Sequence, residues 1–326
     1  MTIFSAIRNG LRRVAASPKL ILFLWLFNFA MALPLALVLS GQIESSLSAS
    51  RVQEKLRHGF DIDWHEEFSH NASDLGKTFS PAVIGAGPFL GNLEAWLNGS
   101  LFTGNIGIIS LGIGYMIIWL FLLGGILEHF AHHDEPLTVA QFFRASGHYV
   151  LRFISLFLLS AVFYFFIFAS LAPVLFLFIA DSTRDTTVER NVFFLTASAY
   201  TAIALLLATV NMVFDYAKIA TVVKGHRNML VATFDGFRFV FAHPAKTFGL
   251  YLVLGIFLAL ALGLYSLIAP GAGQANGWAI FLAFLLGQIF LAIKLTLRLT
   301  FFGGQMALYE TTAEKPAPAL VESLSY

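Results

Sequence analysis

The chain has 326 residues, of which 58% are hydrophobic and only 12% charged. A water-soluble domain carries about 25% charge, so this composition cannot cover a globule with water-compatible surface and excludes an ordinary soluble fold. The net charge of +1 gives no basic field to draw nucleic acid, and the absence of Cys excludes disulfides, thiolate metal sites and cysteine nucleophiles.

Residues 3–17 read as an amphipathic helix. At about 100° per residue, Ile3, Ile7, Leu11 and Val14 form a narrow stripe, with Arg8, Arg12 and Arg13 off it. Pro18 ends this helix and Lys19 marks a membrane edge. Two placements fit: lying in the membrane interface with the apolar face down, or packing on another part of the protein. Residues 20–40 form the first span, with Asn28 inside it and Pro34 at an expected kink. This run is longer than the apolar part of a signal peptide, about 7–15 residues, and suits a retained span of about 20.

Residues 41–105 are the long polar segment. Within it 43–59 reads as helical, 61–73 as polar loop, and 81–105 as a Gly-rich stretch touching or dipping into the membrane. Span 2 covers 106–127. A second amphipathic lead-in, LTVAQFFRASGHYVLRF, precedes span 3 at 153–180, which contains Pro173. Span 4 covers 191–216, span 5 covers 247–268 and span 6 covers 278–302. The expected fold class is therefore an all-α polytopic membrane bundle. Its six transmembrane helices form three hairpins, each with a cytoplasmic amphipathic lead-in helix. Residues 1–310 make one transmembrane domain and 311–326 a disordered tail.

Lys and Arg set the orientation. With the N-terminus inside, the inner side holds Arg8, Arg12, Arg13, Lys19, Arg144, Arg152, Lys218, Lys224, Arg227, Arg238, Lys246, Lys294 and Arg298, among others. The short outer loops hold Arg184 and Arg190. Both termini are then cytoplasmic.

The stretch ATFDGFRFVFAHPAK, at 232–246, has an echo at the N-terminus. Ala6, Gly10, Arg12, Val14, Ala16 and Pro18 match Ala232, Gly236, Arg238, Val240, Ala242 and Pro244 at one shift (236 − 10 = 226). Spans 2 and 6 both end in Gly-Gly, at Gly124-Gly125 and Gly303-Gly304. Such repeats are related by an axis along the membrane normal; the middle hairpin matches poorly. On GGILEHF, FFRASGHYVLRF and DYAKIATVVKGHRNMLVATFDGFRFVFAHPAKTFGLY, the chain resembles a broad group of bacterial six-span membrane proteins. More loosely it resembles the YciC-like proteins and the membrane domain found beside glycerophosphodiester phosphodiesterases. That resemblance implies a bacterial inner-membrane protein with no established activity. The phosphodiesterase catalytic domain has no counterpart here.

Candidate chemistry is sparse. His65 and His70 are five apart, about 140° around a helix, and so miss the i, i+4 zinc pattern. Asp61, Asp63, His65 and His70 read as a solvated loop or a loop metal site. At the end of span 2, His129, His132 and His133 are weak metal candidates beside Glu128, Asp134 and Glu135; the alternative is a helix end suited to His⁺. Mid-span Asn28, Asn211 and Gln288 read as groups bonding between helices. Asp215 is expected to pair with Lys294 or Arg298 across spans 4 and 6, or locally with Lys218. Arg8, Arg12, Arg13, Lys19, Arg238 and Lys246 are the expected lipid-interface residues.

Three functions fit this inventory. The first is a non-enzymatic membrane protein that binds anionic lipid and organises or senses the inner leaflet, with no cofactor and no nucleic-acid partner. The second is a transporter or channel for a small or lipid-like solute. The third is a metal-assisted membrane enzyme.

Overall fold

The first helix, α1 (Ile3–Ala15), starts where Thr2 accepts the Ser5 N–H at 3.3 Å, and α2 (Pro18–Ser48) follows at once. Pro18 stands at the first position of α2, where a missing N–H costs nothing. In the computed structural model, residues 1–48, 61–72, 75–79, 106–133, 138–186, 188–269 and 276–312 are described. Among them the regular structure is helical and no strand occurs.

After α2 come a short helix α3 (Ile62–Asn71), then α4 (Ile106–Ala131) and α5 (Val139–Phe166). A π turn (Ile167–Leu171) joins α5 to α6 (Ala172–Ser182). The wider turn ends two residues before Pro173, whose missing N–H and bulky ring a regular α-helix cannot take without adjustment. The chain continues as α7 (Glu189–Val223), α8 (Met229–Ala242), α9 (Pro244–Ile268) and α10 (Gly277–Thr312).

Six of these stretches are long and apolar enough to cross a membrane: α2, α4, α5 with α6, α7, α9 and α10. Large apolar side chains remain exposed along them, among them Leu37, Ile113, Phe165, Phe193, Leu260 and Phe281. Water cannot hold such a belt and lipid can. The protein is a multi-pass all-α membrane protein with its spans in three hairpins.

The chain divides into two compact units. Unit 1 holds residues 1–10, 117–250 and 302–326; unit 2 holds 11–116 and 251–301. In unit 2, Tyr115 donates to Asn28 Oδ1 at 2.9 Å, joining spans 1 and 2, and Tyr265 stacks on Phe290 at 4.5 Å, joining spans 5 and 6. In unit 1 the core is the C-terminal half of α7, where nearly every residue from Met212 to Val223 is buried. A helix surrounded by protein on nearly every side belongs at such a centre, the one acid of this half, Asp215, being paired with Lys218.

Unit 1 shows three contacts of one kind, each between the C-terminal end of a span and a lead-in helix. A Cβ on Gly124 would lie 3.1 Å from Tyr149 Cβ and 3.2 Å from Ser146 Cα, so α4 rests directly on α5. A Cβ on Gly236 would strike the Val213 carbonyl and lie 2.8 Å from Ala217 N, so α8 rests on α7. A Cβ on Gly303 would lie 3.0 Å from Gly10 Cα, and one on Gly304 would lie 3.3 Å from the Ala6 carbonyl. The end of α10 therefore rests on α1, and the first and last of the described helices meet. Small residues let backbones approach this closely without side chains intervening.

The caps bring the middle hairpin into the repeat. Thr2, Thr138 and Asn228 each accept a hydrogen bond from the first turn of their helix, with Thr138 and Gln141 forming a capping box. Counted from these caps, Gly10, Ser146 and Gly236 are equivalent, and all three stand at the close contacts just described. Pro18 and Pro244 share the next equivalent position with Ile154. Without a proline there, lead-in and span 3 form one unbroken helix, α5. The sequence expectation of a separate second lead-in is corrected on that ground.

Two further expectations change. Residues 61–73 were expected as loop, but 62–71 form α3. Asp61 caps it by accepting the Trp64 N–H at 3.1 Å, and the buried Trp64 and Phe68 rings stack at 5.4 Å. Span 1 extends past residue 40 to Ser48 in one helix through Pro34. The 81–105 stretch, residues 49–59 of the expected helix at 43–59, and residues 313–326 of the expected tail lie outside the described residues.

Candidate functional site

The expected lipid-interface cations lie on the lead-in helices α1 and α8 and in the first turns of the spans that follow them, α2 and α9. On α1, Arg8 and Arg12 are exposed, beside Phe4 and Leu11. Lys19 and Arg238 are exposed and Lys246 is half-buried. Arg13 departs from the expectation: it is 8% exposed. It follows Gly10 by three residues, and this turns it to the packed face that holds Ala6, Gly10 and Val14 rather than to the outer face. The Ile3 side chain likewise lies against Gly249, so part of the apolar stripe read from the sequence is spent on protein.

Helix α8 has two distinct faces. Met229, Ala232, Gly236, Phe239 and Val240 are buried. Leu230, Phe234, Phe237 and Phe241 are exposed and recur every three or four residues, so they form one outward row. Phe237 and Phe241 touch at 4.4 Å, and exposed Arg238 borders the row.

Charged side chains of unit 1 gather around the corner between α7 and α8. Gly225, at φ +67, makes the turn there, a conformation glycine adopts without a steric penalty. Lys224 Nζ donates to Asp235 Oδ2 at 2.9 Å, and His226 Nε2 lies 2.8 Å from the same oxygen. Lys224 also stands 6.0 Å over the Tyr309 ring, beside the buried cluster of Tyr216, Phe239 and Tyr309. Burial opposes both charges of the Lys224–Asp235 pair. Their mutual hydrogen bond and attraction outweigh it, so the lysine pKa stands above its ordinary value and the carboxyl pKa below.

The sign of the pH dependence follows. The Asp235 contribution is present above the unfolded carboxyl pKa, about 3.9, and is lost as pH falls through the lowered folded value. The Lys224 contribution is present below about 10.4 and is lost as pH rises through the raised folded value. Asp235→Asn is expected to cost about 1 kcal/mol between these limits, since the pair is partly solvent-screened. The cost should shrink as pH falls below the unfolded carboxyl pKa and vanish only below the lowered folded one. Thermal unfolding of both proteins across pH checks this, and a pH-independent difference would refute it.

At the C-terminal end of span 2, Tyr149 donates to Glu128 Oε2 at 3.0 Å, and His132 Nδ1 lies 3.7 Å from Glu128 Oε1. His129 is buried beside the Phe130 ring. Among the described residues no three His, Asp or Glu side chains converge as a metal set, at 128–133 or at Asp61, Asp63, His65 and His70. Asp134 and Glu135 lie outside the described residues. His65 instead bonds the Phe79 carbonyl at 2.9 Å.

Of the partners weighed for Asp215, the local one is seen: Lys218 Nζ donates to Asp215 Oδ1 at 3.0 Å, and Asn211 donates to Oδ2 at 3.4 Å. Asn28, bonded to Tyr115 and to the Leu24 carbonyl, is used between helices as expected. Gln288 Oε1 is buried without a hydrogen bond. The Lys224–Asp235–His226 corner was missed from sequence. Its one sequence signal is the single acid Asp235 on a lead-in helix whose other charge is Arg238.

No family model matches the chain, and no curated protein or solved structure is similar to it at a significant level.

Proposed function

We propose that this is a non-enzymatic protein of the bacterial inner membrane whose lead-in helices engage the anionic lipid of the cytoplasmic leaflet and organise it. Both termini are assigned to the cytoplasm on the Lys and Arg asymmetry. The observation that carries the reading is the outward face of α8, with Leu230, Phe234, Phe237 and Phe241 in a row beside Arg238. An apolar row edged by a cation is what a helix lying in a lipid interface presents. Helix α1 supports it differently, with exposed Arg8 and Arg12 reaching for headgroups around a smaller apolar contact at Phe4 and Leu11. Asn28 and Asn211 are engaged within the fold, which leaves Gln288 as the group in favour of a solute pathway. The likeness to bacterial six-span proteins stands on the same footing as this proposal.

One experiment on the reconstituted full chain tests orientation and lipid contact. The protein has no Cys, so single thiols report cleanly. In right-side-out vesicles Glu67→Cys should react with an impermeant thiol reagent, and Asn9→Cys should react only after permeabilisation. Its labelling should then slow at least about fivefold when phosphatidylglycerol replaces phosphatidylcholine, the ratio given by about 1 kcal/mol per surface cation. Salt should reverse the slowing. Labelling of Asn9→Cys from outside would overturn the orientation; equal rates in both lipids would overturn the lipid contact.

A further inference from the structure

The face of α5 nearest the α7–α8 corner collects cations without an acid among them. Arg144, His148 and Arg152 recur every fourth residue and so share one ridge of the helix. The adjoining face, with Phe142, Ala145, Ser146 and Tyr149, is buried. The Arg152 guanidinium is held in place: it lies 5.6 Å over the Tyr149 ring, and its Nη1 donates to the His226 carbonyl at 3.3 Å. That bond brings it to the residue before Arg227. The charges of Arg152 and Arg227 act on His148, and the Glu128 carboxylate acts on it in the opposite sense.

Among the described residues no carboxylate forms an ion pair with Arg144, His148, Arg152 or Arg227. The acids close by are engaged with other groups, Glu128 with Tyr149 and His132, Asp235 with Lys224 and His226. Helix α8 begins two residues after Arg227 with no acid in its first turn, so its dipole adds to the same positive field. Like charges gathered this way raise the free energy of the fold unless a counter-anion joins them.

We propose that Arg152, Arg227 and His148 form a binding site for a phosphate anion. Two guanidinium forks and an imidazole together offer many N–H donors, which a tetrahedral anion with several acceptor oxygens uses better than a planar carboxylate. Arg152 keeps four of its five N–H donors after the bond to His226. The expected source is a lipid headgroup, which rests on the reading that this side faces the anionic leaflet; free phosphate is the other source of the same chemistry.

The test uses the full chain in neutral detergent at low ionic strength. Thermal unfolding is followed on titration with phosphatidylglycerol, phosphatidylcholine or inorganic phosphate. Wild type should be stabilised by phosphatidylglycerol and not by phosphatidylcholine. Arg227→Gln, a change at an exposed side chain, should weaken the apparent affinity about tenfold, the worth of a charge-assisted hydrogen bond. Arg152→Lys, which keeps the charge and loses the fork, should weaken it in the same direction. An Arg227-dependent response to inorganic phosphate without one to phosphatidylglycerol would support the site and assign it a soluble anion, against the lipid reading. If Arg227→Gln and Arg152→Lys respond as wild type while Arg8→Gln with Arg12→Gln loses the lipid response, the lipid reading survives and this site is overturned. No response of wild type to either anion overturns it as well.

Discussion

Gly236→Ala is expected to destabilise the protein by about 3 kcal/mol, the upper part of the range for overpacking a tight contact. The added methyl would meet the Val213 carbonyl, Ala217 N at 2.8 Å and Ala217 Cα at 3.2 Å. All three are backbone atoms of α7, the core helix of unit 1, and backbone cannot rotate aside as a side chain can. The clash therefore separates α8 from α7 along their shared face. Gly147→Ala is the control. Gly147 lies inside α5 with nothing within 4 Å of a built Cβ, so the same change should gain about 0.5–1 kcal/mol from helix propensity. Unfolding of both variants in one detergent gives the comparison. A similar effect at the two sites would mean that α8 and α7 are not in backbone contact. Gly303→Ala should fall between them, because Gly10 belongs to α1 and a terminal helix can shift more readily than a central one.

Asp215→Asn should cost about 3 kcal/mol, since removing one member of a buried pair leaves the other charge uncompensated. Asp215 is buried near the end of α7 and receives both Lys218 and Asn211. Its effect should be strongly coupled to Lys218→Gln. The double variant is expected to lose less than the sum of the single losses by about 1–2 kcal/mol. Additive losses would show that the 3.0 Å contact contributes nothing. The same cycle run against Lys294 and Arg298 measures the cross-span pairing proposed from sequence. A coupling above about 0.5 kcal/mol would place a second partner beside the local one.

The spans were legible because a membrane imposes a single requirement on each alone: about 20 apolar residues with their backbone bonds closed internally. The lead-in helices α1 and α8 were legible for a similarly local reason, a proline corner repeated at a shift of 226 residues. Helix α3 was legible and was misread. Asp61 followed by Trp64 and Phe68 is a cap and a stacked i, i+4 pair, signals outweighed by the polar residues around them. The middle hairpin escaped because its corner position is Ile154 and its contact position is Ser146. Only the helix caps reveal the register.

What no local pattern could supply was which faces meet. Composition places Arg13 with Arg8 and Arg12, but its burial depends on the helix face that α1 turns to the rest of the fold. The contact of Gly303 with Gly10 joins helices far apart in the chain, and Lys224 finds Asp235 around a corner set by Gly225. The sequence by itself determined the solvent, the number of spans and where helices begin and break, because each depends on neighbours a few residues away. Tertiary structure decided the closure of α10 on α1, the burial of Arg13 and the gathering of Arg152, His148 and Arg227. Those depend on packing between elements far apart in the chain, where one small residue or one turn of helix changes which side chains come together.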